Sequence, residues 1–426
     1  MTQERYDVSI TDFKDMVCFH VQGLKGERMS NDKRVVITNA KRTPIGKFFG
    51  AFQYTTAVDL GVTAAKAVLE ESGIDPASVN EVIFSNARQA GNKPNPARQV
   101  GCFSGIPDEV PAYTVNKACG GALKCIQLGY QAIVLGDAQI VLAGGTENMT
   151  RTPYMFENMR WGYRMGDAPL IDGMYRDGFL CPMSDLTMGQ TAEKLNETYK
   201  ISREEQDELA LRSNKLAGEA TATGRFKDEI IPVTVKQRKK EIVVSEDEGP
   251  RPDTSLEKLG SLQTVFKKAD EGGTVTAGNA CQISDGAAAV LMMSEEKAGE
   301  LGLEPIAFFG DCVTVGVDPS IMGIGPVPAC EKLFKRTGLE MKDFDLVEIN
   351  EAFAAQIVAC DRELGFDWEK TNVNGGSIAL GHPIGCTGAR FVVTLLHEMK
   401  KRGAKKGLAT LCHSGGMGMA AYFHKG

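Results

Sequence analysis

Two cysteines stand where a thiol can react rather than pack. Cys119 lies in VNKACGGALK (115–124), where a Gly-flanked turn passes into an apolar helical pattern with Lys117 nearby. Unpaired N–H groups and the positive end of a helix favour thiolate there, so a lowered pKa is expected. On spacing alone, an inert packing thiol remains open for the same residue. Cys412 ends the apolar run GLATLC immediately before His413, Ser414, Gly415 and Gly416. Small residues in that turn let backbone N–H groups approach a ligand closely, which suits an oxyanion. His382, in ALGHPIG, sits between Gly381 and Pro383 without apolar periodicity, and a rigid loop holding an imidazole is a reasonable acid or electrophile. Asn350 and Glu351 follow DLVEI at the carboxyl edge of a predicted strand, where open α/β sheets build their sites; an Asn helix cap is the alternative. Two cysteines, a histidine and an asparagine at strand ends and Gly turns point to thiol-based acyl chemistry. Cys125, Cys312, Cys330 and Cys360 fall in apolar periodic stretches and read as packing. His20, His397, His413 and His424 read as surface or local structural residues, and no histidine pair has zinc-ligand spacing with the cysteines, so no catalytic metal is expected.

These residues need elements to hold them. Val35 to Thr38 reads as a short buried strand leaving into AKRTPIGKFFG, and CGGALKCIQLGYQAIVLGDA reads as a largely buried helix. Ile140 to Ala143 follows as a short apolar strand ending at Gly144 and Gly145, so the pattern is that of a covered, mostly parallel sheet. The C-terminal part repeats this grammar: a strand over 345–350, a Gly-rich approach to a helix through FVVTLLHEM, then GLATLC ending in HSGGMG. A Val-Asn pair precedes the Gly-rich stretch in both places, Val115 and Asn116 and then Val373 and Asn374, so a duplication is expected. Between the halves, residues 151–275 change texture: YMFENMRWGYRMGD is dense in Met and Arg, SREEQDELALRSNKLAGEA is a charged helix, and KQRKKEIVV with SEDEGPRPDTS reads as a charged hairpin and loop. This segment is expected to be a lid or insertion.

Composition narrows the class. The chain has 426 residues, 42% hydrophobic and 24% charged, with 48 basic against 55 acidic residues and a net charge of −7. That apolar fraction builds real cores, and 11 cysteines over this length form no disulfide scaffold. An acidic balance argues against nucleic acid as the main partner. A mean hydropathy of −0.17 and the lack of an apolar run near ~20 residues argue against a membrane partner. MTQERYDVSITDFKDMVCFH lacks a basic region followed by an apolar core and is too acidic for an ordinary presequence, so a cytoplasmic location is expected, with thiols kept reduced.

With these motifs in order, the chain resembles the thiolase family. VNKACGGALK, AGGTENM (143–149), TVTAGNA (274–280), GIGPVPA (323–329), EINEAFAAQ (348–356), NVNGGSIALGHPIGCTGAR (372–390) and CHSGGMG (412–418) carry the likeness, which runs from about residue 33 to the C-terminus. The resemblance implies an α/β fold of two duplicated layered halves (α-β-α-β-α) with an inserted loop domain. By it, residues 1–33 are an N-terminal extension, 34–150 with 285–305 the first half, 151–284 the loop domain and 306–426 the second half. It implies that Cys119 carries the acyl group as a thioester, that Cys412 handles the proton on the substrate α-carbon, and that His382 polarises the thioester oxygen with a water held by Asn350. A second oxyanion hole would use backbone N–H groups of Cys119 and Ser414. The implied reaction is reversible conversion of two acetyl-CoA into acetoacetyl-CoA and CoA, or cleavage of a longer 3-ketoacyl-CoA, in fatty acid or lipid metabolism. Coenzyme A is then a substrate and no cofactor is needed, and the assembly is a homodimer or homotetramer. Related condensing enzymes replace the second cysteine and a cysteine hydrolase needs none, so Cys412 argues against both; a non-catalytic acyl-CoA-binding or scaffold protein is a further alternative.

Residues resembling the family's CoA contacts are Arg251 near the nucleotide phosphates, Phe266 beside pantetheine, Ala352 and Phe353 in NEAFA, and Met188 heading MGQTAE. The departures gather in the same region. Thr187 stands where the family commonly has histidine, Cys281 and Gln282 where serine and glycine are common, and Ser414 replaces the first glycine of a triplet; Phe179 and Cys181 also differ from short-chain members. The Ser414 change is expected to be tolerated because its contribution is backbone, whereas Thr187 and Cys281 are expected to alter acyl-chain or CoA preference.

Overall fold

The computed structural model describes residues 33–237 and 240–426, so the extension expected over 1–33 lies, but for Lys33, outside the described residues. The first half of the fold runs β1 (Val35–Arg42), α1 (Ala57–Ser72), β2 (Glu81–Ser85), α2 (Pro96–Phe103), β3 (Ala112–Val115), α3 (Gly121–Leu135) and β4 (Ile140–Asn148). The chain then leaves the sheet for residues 149–283, which hold α4 (Met188–Tyr199), α5 (Arg203–Ala222) and the hairpin β5 (Val233–Gln237) and β6 (Lys240–Val244). It returns as β7 (Ser284–Ser294). The second half follows: β8 (Ala307–Gly316), α6 (Pro326–Thr337), β9 (Leu346–Ile349), α7 (Ala354–Leu364), α8 (Thr387–Arg402), β10 (Lys406–His413) and β11 (Met417–His424).

The duplication is explicit in the strand pairing. β2 lies parallel to β4, β4 antiparallel to β7 and β7 antiparallel to β1; likewise β9 lies parallel to β10, β10 antiparallel to β11 and β11 antiparallel to β8. The two sets join where β1 meets β8, with Val36 opposite Phe308, giving the order β9-β10-β11-β8-β1-β7-β4-β2-β3. The sheet is therefore mixed rather than mostly parallel. Continuous apolar strands report burial on both faces, not direction: β7 is buried over ten of its eleven residues and antiparallel to both neighbours.

The helices sort into layers by the residues they bury. Leu123 and Ile126 of α3 share one core with Phe391 and Leu395 of α8, and with Val141, Val290, Leu411 and Phe423 from strands of both halves. On the outer face of the first half, Leu60, Val68 and Val100 of α1 and α2 pack on Leu142 and Leu291; on that of the second, Leu333 and Ile357 of α6 and α7 pack on Ile349 and Leu408. This is the expected α-β-α-β-α stack with α3 and α8 at its centre. Over 118–135 the α3 segment is apolar enough to suit a membrane span by composition, which the sequence reading missed, but half of that window is buried in the shared core.

β4 does not end at Gly144 and Gly145 as expected; it continues to Asn148, all nine residues buried. The glycines there serve close packing rather than a stop. A Cβ on Gly145 would lie 2.1 Å from the Gly385 carbonyl oxygen, and one on Gly388 would lie 2.3 Å from the Leu123 nitrogen. Small residues thus let the start of α8 press against the start of α3.

Candidate active site

The chain reaches α3 through a tight turn. Gly120 N–H donates to the Lys117 carbonyl at 3.1 Å and Gly121 N–H to that of Ala118 at 3.0 Å. Ala118 sits at φ 45°, left-handed for a residue with a Cβ, and its N–H donates to Asn116 Oδ1 at 3.2 Å. Such a conformation costs about 1–3 kcal/mol and persists only where surrounding structure enforces it. It sets Cys119 ahead of α3 and facing the loop that carries His382. Glu147, at the end of β4, holds that loop in place by accepting Gly385 N–H at 2.8 Å while also accepting the N–H groups of Ala87 and Arg88.

His382 Nε2 lies 3.1 Å from Cys119 Sγ, across 263 residues of sequence. Its other nitrogen, Nδ1, lies 2.7 Å from Thr387 Oγ1, and the Thr387 hydroxyl donates to the Pro383 carbonyl at 3.0 Å. With its only proton committed to Pro383, Thr387 accepts from Nδ1–H, which leaves the Nε2 lone pair facing the thiol. Burial pushes the His382 pKa down to about 3, aided by the positive charges of Arg390 and Arg88. The imidazole is therefore neutral. The histidine expected to face a substrate oxygen thus also stands within hydrogen-bond distance of the Cys119 thiol.

The expected depression of the Cys119 pKa is reversed. Burial dominates and pushes the thiol up to about 11, against smaller opposite pulls from Arg88 and from the backbone N–H of Ser414. Burial of the sulfur outweighs the helix end, because Cys119 precedes the first turn of α3 by two residues. The Ser414 N–H that reaches the sulfur comes from the β10–β11 turn, where Gly415 and Gly416 adopt φ 89° and 74°. Cys412 lies at the end of β10, fully buried, with its thiol pushed well up by burial first and by the thiols of Cys119, Cys360 and Cys281 next.

A cavity of about 480 Å³ opens over these groups. Cys119, His382, Cys412 and Ser414 line it, as do Arg251, Phe266, Cys281, Ala352, Phe353 and Met188. Phe266 and Phe353 meet edge to face with ring centroids 6.3 Å apart. Thr187 and Phe179 also line it, whereas Cys181 is buried away from it. Thr187 spends its hydroxyl on Gln190, capping α4. Gln282 lines the cavity but works as a tie, its Nε2 donating to the carbonyls of Gly249 and Ala379 at 3.0 and 3.1 Å.

Asn350 is fully buried behind the cavity, its Oδ1 accepting from Ser377 Oγ at 2.6 Å and its Nδ2 without a partner among the described residues. It caps no helix, since α7 begins at Ala354. Glu351 is structural, accepting from Ser213, Asn372 and the Ile378 N–H. Cys125, Cys312, Cys330 and Cys360 are buried, as their apolar settings predict. His397 donates to the Ala40 carbonyl at 2.9 Å, whereas His413 is buried with neither ring nitrogen partnered among the described residues. Sequence reasoning missed Thr387, five residues after His382, and Arg88; a hydroxyl one helical turn beyond a candidate base was a usable signal for the first.

A family model for the thiolase N-terminal domain matches residues 35–296, and one for the thiolase C-terminal domain matches residues 303–425. A probable acetyl-CoA acyltransferase of Staphylococcus aureus is 52% identical over 393 residues, 92% of this chain and 99% of its own. The crystal structure of a Bacillus anthracis acetyl-CoA acetyltransferase superposes with a TM-score of 0.90 at 46% identity, covering 92% of this chain and 98% of that one. The human mitochondrial 3-ketoacyl-CoA thiolase gives 0.89 at 43%, covering 92% and 99%. Likeness of that extent, over a fold built twice and split by one long insertion, makes the chain a member of the thiolase family.

Proposed function

We propose that the protein is an acyltransferase that moves acyl groups to and from coenzyme A, converting two acetyl-CoA into acetoacetyl-CoA and CoA and running the reverse. The observation that carries this reading is the 3.1 Å contact between His382 Nε2 and Cys119 Sγ, with a second thiol, Cys412, in the same cavity. His382 takes the Cys119 proton as sulfur attacks the acetyl-CoA carbonyl, and CoA leaves with the proton of Cys412, so acetyl-Cys119 is formed beside a Cys412 thiolate; the proton on His382 later returns to Cys119. Cys412 then removes a proton from the α-carbon of a second acetyl-CoA. The resulting enolate attacks the acetyl carbonyl on Cys119; the new C–C bond forms, the C–S bond breaks and the thiol is restored. Negative charge on oxygen would be met by His382 and Asn350 on one side and the backbone N–H groups of Cys119 and Ser414 on the other. Coenzyme A would lie along Met188, Phe266, Ala352 and Phe353 with its phosphates toward Arg251.

Cleavage of longer 3-ketoacyl-CoAs is a second reading, supported by the apolar end of the cavity, where Met149, Tyr175, Phe179 and Ile384 lie beyond the nucleophile. The mechanism is tested by separating the two thiols. Cys119→Ala should abolish trapping of radiolabelled acetyl on the protein, whereas Cys412→Ala should still acylate but lose α-proton exchange in acetyl-CoA. The reverse pattern would overturn the assignment.

A further inference from the structure

Arg88 is a buried cation beside the cavity whose guanidinium makes no direct ion pair among the described residues, Glu147 acting on it only from beyond that distance. The residue is 6% exposed, and its Nε and Nη2 make no hydrogen bond among the described residues. Nη1 reaches the Asp177 carbonyl at 3.5 Å, the edge of a hydrogen bond. Glu147 accepts the Arg88 backbone N–H at 3.1 Å, but no carboxylate lies within ion-pair distance of the guanidinium among the described residues. The positive group faces the cavity wall: its central carbon lies 5.8 Å from the Phe179 ring centroid, and a Cβ on Gly178 would stand 2.3 Å from Nη2. Gly178 and Phe179 both line the cavity, at the same end as Cys119, Met149 and Ile384.

An unpaired buried charge is costly, and an apolar side chain would fill this place at no such cost. What distinguishes the site is which donors are free. Nε and Nη2 lie on one edge of the guanidinium, the pair that grips a carboxylate in two parallel hydrogen bonds. No carboxylate oxygen reaches those two donors: Glu147 acts on the guanidinium only from beyond ion-pair distance and spends its oxygens on the N–H groups of Ala87, Arg88 and Gly385, while Phe179, Met149 and Ile384 are apolar and His382 is neutral. We infer that Arg88 receives a carboxylate at the far end of the substrate's acyl chain, so that the preferred substrate is a 3-ketoacyl-CoA of a dicarboxylic acid. The inference rests on the acyl-transfer reading above and narrows its substrate class.

The test compares thiolysis of 3-oxohexanedioyl-CoA with that of 3-oxohexanoyl-CoA, the same chain with and without the terminal carboxylate. Wild-type enzyme should prefer the acid in kcat/KM by roughly ten-thousandfold, the order expected when a site built to hydrogen-bond a group meets an analogue lacking it. Arg88→Met should collapse that ratio toward one or below, and Arg88→Lys, which keeps the charge but not the fork, should fall between. Turnover of the neutral chain with no preference for the acid in wild-type enzyme refutes the role of Arg88 while leaving acyl transfer standing, and needs no variant to fold. An unchanged ratio in Arg88→Met refutes it equally. Turnover of neither substrate overturns the acyl-transfer reading and the inference with it.

Discussion

Thr387 is the point at which the Cys119–His382 pair can be disturbed without touching either member. Thr387→Val keeps the shape of a fully buried side chain and removes the oxygen 2.7 Å from His382 Nδ1. The imidazole then has two poor choices. It can keep Nδ1–H with no acceptor, at a cost of about 1–3 kcal/mol for an unsatisfied buried donor. Or it can move the proton to Nε2, where the ring donates toward sulfur and can no longer take the thiol proton. Either route raises the barrier to forming the Cys119 thiolate by about that amount, a loss of roughly 5- to 150-fold in rate. Two assays read it together: iodoacetamide alkylation of Cys119 as a function of pH, and kcat for thiolysis of acetoacetyl-CoA. Both should fall in Thr387→Val with little change in thermal stability, and Thr387→Ser, which restores the oxygen, should recover most of the loss. Wild-type alkylation and turnover in Thr387→Val would refute the claim that Thr387 sets the tautomer.

Two further outcomes follow from packing and charge. Burial holds the His413 pKa at about 3, against an ordinary 6.5, with Lys117 acting in the same direction. The unfolded chain therefore binds more protons between those values, and stability present above pH 6.5 is lost as pH falls toward 3. At pH 5 the loss is about 2 kcal/mol for one such imidazole. His413→Leu should flatten the fall in unfolding free energy between pH 7.5 and 5 by that amount; an unchanged slope would show that His413 is not buried neutral. Gly388→Ala places a methyl 2.3 Å from the Leu123 nitrogen and should push α8 from α3 at a cost of about 1–3 kcal/mol. A lowered melting temperature together with slower Cys119 alkylation is expected, and a wild-type melt would show that the two helices are not in such contact.

Local context was enough to single out Cys119, His382, Cys412 and Asn350, because each stands in a Gly turn or at a strand end that no packing residue needs. It was not enough to pair them, since the His382–Cys119 contact spans 263 residues. The direction of the Cys119 pKa was misread for the same reason: a helix terminus is visible in sequence, whereas enclosure by the β10–β11 turn and the inserted segment is not. Gly144 and Gly145 look like a stop in a one-dimensional pattern and act as clearance for Gly385 and its neighbours in three dimensions. Strand direction was hidden because burial on both faces writes the same apolar run whichever way a neighbour points. Arg88 escaped notice because what marks it is two buried donors left without a partner among the described residues, a property of the folded chain alone.

The two halves repeat a scaffold but divide its labour, and the division explains where the chemistry sits. The segment before α3 supplies Cys119, and the matching segment before α8 supplies His382, so the two central helices bring the thiol and the imidazole together from opposite sides of the stack. Past the ends of the matching strands β4 and β10 the halves part company. β10 turns back at once through Ser414, Gly415 and Gly416, which presents an N–H to Cys119 and leaves Cys412 at the cavity floor. At the same point β4 runs out into residues 149–283, which wall the cavity with Met149, Phe179, Met188 and Phe266. A tight turn on both sides would leave the pair open to water, and a long excursion on both would remove the N–H that meets the sulfur. The asymmetry leaves burial to hold both the Cys119 thiol and the His382 imidazole neutral, with the Ser414 N–H already aimed at the sulfur.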